Sequence, residues 1–540
     1  MTIKSNENLR GLLERRATEN AGKIFLFSET DGREWSYAAF DKSVNRAANM
    51  LRASGIEKGD VVSLLLPNSA EYIFAYFACW KIGAIANPVN SLLKAEEIKF
   101  VIGDAEAKLL LVHSQFLDRS EPPAVAGGLP ATENPPATAG GSDLPHLKNV
   151  IRFDDEAEAT KDYSENLEKI LIERNDEAII IYTSGTTGKP KGCLLTHGNL
   201  IANARQITEW LGFDERDRLL TIMPLFHMNA VSVTTMTALY ASASTVVSPK
   251  FSTSRFWQII SDYKVTSFGS VATMLSMLLQ KAEEEQKSRG AEEQENAVNN
   301  GRQTTDNGQL RFAMCGSAPV PAEILKRFEE TFDCLVIEGY GLSESTCRST
   351  FNPPNTDRKP GSCGKPIGNE MKIFDENDKE VAVGELGEIV LKGENIFKGY
   401  FKNDEATRRA FRNGWFHTGD IGYRDADGFF YIADRKSDMI IRGGENIYPR
   451  EIDELLYTHP AVQSAAVIGV PDELYGEEVA AFVVLKKSET ANEEDLINFC
   501  KTRLADFKCP KRVYFVDDIP KGATGKLLKR ELARIHRELN

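Results

Sequence analysis

Short apolar runs bounded by turn residues recur along this chain of 540 residues, at positions 61–66, 109–112, 178–182, 219–223, 245–247 and 335–338. Runs this short, apolar at successive positions, suit strands covered on both faces, as in parallel sheets. Longer segments with helical spacing lie between them, 37–53 and 200–211 among them. The alternation predicts an α/β fold: a large N-terminal domain, residues 1–434, with mostly parallel sheets flanked by helices. Past Tyr431 the texture changes. A charged turn, Asp434-Arg435-Lys436-Ser437-Asp438, precedes a compact series of strand and helix patterns at 439–441, 450–458, 465–470, 479–485 and 494–504. These predict a small α+β C-terminal domain over 435–540, of ordinary domain size. Two stretches, 120–145 (rich in Pro, Ala and Gly) and 282–309 (rich in Glu, Gln and Asn), read as low-complexity surface insertions.

A net charge of −14 opposes general attraction to nucleic acid or anionic lipid, while leaving room for a local basic pocket. The eight cysteines are scattered without CxxC pairs or zinc spacing, and read as reduced thiols. The opening residues lack a secretory apolar core, and their glutamates oppose a transit peptide. The most apolar stretch, 72–89, is broken by Lys81 and Pro88 too early to span a bilayer. The final Glu-Leu-Asn is no peroxisomal address. The expected location is the cytoplasm.

The strongest local signal is residues 178–192, AIIIYTSGTTGKPKG: a buried strand, then a segment of glycines, hydroxyls and lysines. Glycines let the backbone turn its N–H groups toward an anion. The hydroxyls of Thr183, Ser184, Thr186 and Thr187 add donors, and Lys191 adds charge. This composition points to a triphosphate. It is not a Walker loop, because Lys189 is followed by Pro190, which supplies neither a magnesium-ligating hydroxyl nor a ready helix.

Residues 182–192, YTSGTTGKPKG, resemble the signature of the adenylate-forming superfamily, which includes AMP-forming acyl-CoA synthetases, nonribosomal-peptide adenylation domains and luciferases. Further motifs follow in that family's order: PLFH at 224–227, GSAP at 316–319, YGLSE at 340–344, WFHTGD at 415–420, the DR turn at 434–435, GGENIYP at 443–449 and PKGATGK at 520–526. The resemblance covers nearly the whole chain outside the two insertions.

It implies an acid–CoA ligase that uses ATP, Mg2+ and coenzyme A, with a small-molecule carboxylic acid as the remaining substrate. The phosphate loop would comprise Thr183, Ser184, Gly185, Thr186, Thr187, Gly188 and Lys191. Gly316, Ser317, Ala318 and Pro319, with Glu338, Gly339, Tyr340 and Gly341, would hold adenine between bare backbone and an aromatic ring. Ser343 would touch phosphate, and Glu344 would bind magnesium as a hard oxygen ligand. Asp420 would accept from ribose hydroxyls, and Arg435 would reach ribose or phosphate. Lys526 would be the catalytic lysine, placing positive charge where the carboxylate meets the α-phosphate. His227 would gate the acyl pocket. A mobile C-terminal domain would then bring Gly443, Gly444 and Glu445 to the pantetheine channel.

Two positions depart from the family pattern: the hinge, two residues beyond Arg435, is Ser437 rather than Asp or Lys, and the usual Thr before Glu344 is Ser343. Candidate acyl-pocket positions are His227, Met228, Asn229, Phe268, Gly269, Val271, Gly316, Gly341 and Leu342, suited to aliphatic or aryl acids of modest size. The motif set resembles fatty-acid, aryl-acid and carnitine-type ligases alike. The alternative within the superfamily is a stand-alone adenylation enzyme that loads a separate carrier protein. A homodimer is the association common among such relatives.

Overall fold

The computed structural model describes residues 7–117, 144–183, 190–316 except 289–309, 322–521 except 356 and 488, and 527–539. Two seven-stranded sheets dominate the N-terminal part. The first runs Leu335–Glu338, Phe312–Cys315, Ser267–Ser270, Arg218–Thr221, Ser244–Val247, Ile24–Ser28 and Glu34–Ser36, and only its last pair is antiparallel. The second runs Gly399–Tyr400, Lys191–Thr196, Glu177–Thr183, Ile85–Pro88, Val61–Leu65, Leu109–Val112 and Asn149–Arg152. Its middle is parallel and its Gly399 end antiparallel.

The apolar runs read from the sequence all fall on strands of these sheets. The helix expected at 37–53 is Tyr37–Ala53, and the one at 200–211 lies within His197–Leu211. The former is closed by Ser36, whose hydroxyl accepts from the Ala39 N–H, and the latter by a reciprocal Thr196/Asn199 cap. The apolar stretch at 72–89 is a wholly buried helix, Ala70–Ile82, followed by the strand Ile85–Pro88. Its Lys81 is 1% exposed and lies 2.5 Å from Asp41, the pairing that lets a charge sit there. Among the described residues no helix is long and apolar enough to cross a membrane.

Two features depart from the sequence reading. The helix Ala272–Ser288 runs into the segment expected to be an insertion, because its apolar face, with Leu275, Leu278 and Leu279 buried, carries it past 282. A third, antiparallel sheet of Glu370–Phe374, Gly387–Lys392, Trp415–Arg424, Phe411–Arg412 and Phe430–Arg435 was not anticipated. Its strands mix buried with half-buried residues, a weaker apolar signal than that of a doubly covered strand.

The C-terminal domain is a separate α+β unit with its own cores, one around Ile440, Leu456, Val467 and Val483 and another around Ile468, Phe482, Ile519 and Leu532. Its sheet runs Glu445–Ile447, Ile440–Arg442, Gly476–Leu485 and Val462–Asp472, with Arg512–Phe515 parallel to the third of these. All eight cysteines are buried and free.

Candidate active site

A cleft of about 870 Å3 lies where the C-terminal domain faces the carboxyl ends of the first sheet. One wall comes from Gly316 and residues 338–342, just past the strands Phe312–Cys315 and Leu335–Glu338. Asp420 and Arg435 from the antiparallel sheet form another side. Lys521, Leu527 and Lys529 from the C-terminal domain close it. Ligands gather at such strand ends because the loops there are free to vary over a rigid sheet.

Three glycines of this wall are required by close approach. A Cβ on Gly316 would stand 2.6 Å from Arg348 Nη2, one on Gly339 2.5 Å from the Phe351 ring, and one on Gly341 2.0 Å from the Cys347 carbonyl oxygen. Tyr340 is buried, and its hydroxyl donates to Asp420 Oδ2 at 2.6 Å. The antiparallel pairing of Asp420 with Arg435 brings Arg435 Nε to 3.4 Å from Asp420 Oδ1. Asp420 is 4% exposed while the Arg435 side chain is 39% exposed, so the carboxylate is anchored below and the guanidinium reaches outward. Burial pushes the Glu338 carboxyl up to about 8, although it accepts from the Gly361 N–H at 3.1 Å.

Glu344 sits on the short turn Ser343–Ser345, and Glu344 Oε1 accepts from the Tyr400 hydroxyl at 2.9 Å. The surrounding protein raises its carboxyl above the ordinary range. The ammonium of Lys191 stands 5.4 Å from the centre of the Tyr400 ring. Tyr400, unremarked in the sequence, thus joins Lys191, at the end of the glycine-rich segment, to Glu344. It pairs through the strand Gly399–Tyr400 with Cys193, so only sheet registration could reveal it. Thr183 pairs with Lys191, so the antiparallel strands Glu177–Thr183 and Lys191–Thr196 flank the segment 184–189. Ser184, Gly185, Thr186, Thr187, Gly188, Ser317, Ala318, Pro319 and Lys526 lie outside the described residues.

His227 ends a turn whose N–H donates to the Pro224 carbonyl. Among the described residues its Nε2 is buried without a partner, and burial holds the ring down at about 4, so the imidazole is neutral. Asn229 begins the helix Asn229–Met236, which closes with an i→i+5 bond from the Thr237 N–H to the Ser232 carbonyl. Such wide turns are frequent at functional sites. Phe268 packs edge-on to Phe256 at 4.9 Å, and Met228 is 4% exposed; both belong to the core. Val271 lines a second cavity of about 470 Å3, which shares Thr273 and Met277 with the cleft.

Gly443, with φ of 59°, and Gly444, with φ of 91°, form the hairpin tip before Glu445, but none of the three lines the cleft. Ser437 donates to Asp438 Oδ1 at 3.1 Å within the exposed turn after Arg435.

Family models give the same reading. Residues 13–401 match the AMP-binding enzyme model, and residues 451–526 match the AMP-binding enzyme C-terminal domain. The chain is 35% identical to a probable CoA ligase, CCL9, of Humulus lupulus over 98% of its own length and 97% of that protein. It is equally similar, at 35%, to an oxalate–CoA ligase of Arabidopsis thaliana over 98% of both chains. Its fold matches ATP-bound MatB from Rhodopseudomonas palustris with a TM-score of 0.86 at 30% identity, covering 99% of this chain and 100% of that one. Matches of this extent, on a cleft built from the motif residues, make the chain a member of the AMP-binding enzyme family and an AMP-forming acyl-CoA synthetase.

Proposed function

We propose that the chain catalyses two half-reactions in one cleft. The carboxylate oxygen of an acid attacks the α-phosphorus of MgATP, forming the acyl-adenylate and expelling pyrophosphate. The CoA sulfur then attacks the acyl carbon, the C–O bond to AMP breaks, and the thiol proton leaves to solvent. The observation that carries this reading is that Lys521 and Leu527, on either side of Lys526, both face the cleft holding Tyr340 and Asp420. Two anions meet in the first step, and a lysine held between them offsets their repulsion.

In this reading, adenine lies between Gly316 and Tyr340, while Asp420, oriented by the Tyr340 hydroxyl, accepts from the ribose. The outward Arg435 meets ribose or phosphate, and Thr183 and Lys191 flank the phosphate loop. Magnesium fits Glu344: its Oε1 is steadied by Tyr400, and the described residues hold no group of three or more metal-ligating side chains. That suits an ion whose remaining ligands are phosphate oxygens and water. Bound there, it would neutralise phosphate charge.

The C-terminal domain would then turn about Ser437–Asp438, withdraw Lys526 and bring Gly443, Gly444 and Glu445 to the thiol path. The 443–445 tip lies off the cleft while the flanks of Lys526 line it, an arrangement suited to the first half-reaction. Other matches at 33–35% identity are named for sulfoacetate, long-chain fatty acids and 2-succinylbenzoate, so identity at this distance selects no acid.

The test is release of AMP and pyrophosphate from ATP across a panel of carboxylic acids, with and without CoA. CoA-dependent thioester formation, with the adenylation rate falling about 100- to 1,000-fold in Lys526→Ala, is the expected result. ADP formation, or acyl transfer to a carrier protein but not to CoA, would overturn it.

A further inference from the structure

One buried charge behind the cleft wall has no carboxylate counterpart among the described residues. Arg348 is 1% exposed and follows two residues in the left-handed backbone region, Thr346 at φ 60° and Cys347 at φ 108°. Its main chain is clamped: the N–H donates to Asn203 Oδ1, and the carbonyl accepts from Asn203 Nδ2 at 2.6 Å and Asn395 Nδ2 at 3.2 Å. The guanidinium lies against Gly316, with its Cζ 5.5 Å from the centre of the Phe351 ring. Among the described residues, Nε and Nη2 have no hydrogen-bond partner, and no carboxylate forms an ion pair with Arg348. Three carboxylates of the motif segments are engaged elsewhere: Glu338 with Gly361, Glu344 with Tyr400, and Asp420 with Tyr340 and Arg435.

A buried guanidinium without an anion costs several kcal/mol. Nε and Nη2 form the side-on edge of the fork, the pair of donors that matches a carboxylate in bidentate fashion. More unused polar atoms lie at the start of the helix Asn229–Met236, which shares Asn203 with Arg348. Among the described residues, both amide atoms of Asn229 and Nε2 of His227 are buried without hydrogen-bond partners. Asn229 lies one turn before Ser232, whose hydroxyl donates to the same Asn203 Oδ1 that accepts from the Arg348 N–H. Asn229 packs directly against Gly269, where a Cβ would stand 2.7 Å from its Oδ1. Buried polar atoms of a folded chain are nearly always satisfied, so this concentration marks a ligand.

We infer that the acid this enzyme activates carries a second anionic group, a carboxylate or a sulfonate, which pairs with Arg348 and takes a further hydrogen bond from Asn229. The inference rests on the ligase reading above. An aliphatic or simple aryl acid placed there would leave the guanidinium buried and unpaired, so Arg348 also excludes such acids.

The test compares short acids matched in length, with a methyl, carboxylate or sulfonate end, by AMP, pyrophosphate and thioester formation. The expected result is a kcat/KM at least 100-fold higher for one of the dianionic sets than for the methyl-ended acids, and the better set identifies the anion. In Arg348→Met that ratio falls toward one, and in Arg348→Lys it recovers in part. Asn229→Leu, which leaves the clamp on Arg348 intact, lowers the ratio several-fold and guards against misfolding of the arginine variants. Turnover that favours methyl-ended acids, or a ratio unchanged in Arg348→Met, overturns this inference while leaving the ligase reading in place. Absence of AMP and pyrophosphate with every acid overturns both.

Discussion

Glu338 offers a pH-dependent test of the cleft. It is 7% exposed, and burial raises its carboxyl from an ordinary 4.5 to about 8, opposed by the Gly361 N–H and the charges of Arg450 and Arg358 and reinforced by Glu329. A raised value means the folded protein holds the neutral form and the unfolded chain the charged one. The stabilising contribution is therefore fully present below pH 4.5, drains as pH rises, and is gone above about 8. The interval corresponds to about 5 kcal/mol, an upper bound because water can reach an ionised carboxylate at a cleft wall.

In Glu338→Gln the side chain is neutral at every pH, so the stability difference between variant and wild type should grow from pH 5 to 8 in favour of the variant, then level off. Urea unfolding at five pH values measures it, and the difference between the two proteins cancels other titrating groups. The half-saturating ATP concentration of the wild type should rise above pH 8, where a carboxylate appears beside a polyanion, and stay flat in the variant. Parallel stability curves for the two proteins, with equal ATP dependence at pH 9, would refute the assignment of a neutral carboxyl.

Two further outcomes follow from the geometry. Gly341→Ala places a Cβ 2.0 Å from the Cys347 carbonyl oxygen, so backbone must shift at a cost of about 3 kcal/mol; denaturant unfolding reads this, and wild-type stability with an unchanged KM for ATP would contradict it. Tyr400→Phe keeps the ring facing Lys191 but removes the hydroxyl that donates to Glu344 at 2.9 Å, a bond to a charged group worth about 1.5 kcal/mol. The magnesium concentration for half-maximal rate should rise about tenfold, and an unchanged magnesium dependence would rule out that support.

The doubly buried strands were legible because all-apolar runs admit few alternatives, and the helix at 37–53 because its apolar stripe and Ser36 cap are local. Much of the cleft was legible too: the motifs holding Gly316, Tyr340, Asp420 and Arg435 were read from sequence, and all four side chains or backbones line one cleft. The antiparallel sheet over 370–435 was missed because its strands mix buried with half-buried polar residues, diluting their pattern. The helix Ala272–Ser288, which runs into the stretch read as an insertion, was not anticipated because its polar end beyond 282 carries no apolar period.

The sequence alone determined which chemical groups are present and the local turns that carry them, since caps, glycine turns and strand runs depend on residues a few positions apart. The partners of those groups were decided by tertiary structure. Tyr340 meets Asp420 across 80 positions and Tyr400 meets Glu344 across 56, pairings that exist only once three sheets are registered. The nine acyl-pocket positions read from sequence suggested an apolar surface with one amide; folding packs Arg348 against one of them, Gly316. In the chain it stands in CRST like any surface charge, and only packing against Gly316 and Phe351, with Asn203 holding its backbone, takes it out of water without an anion.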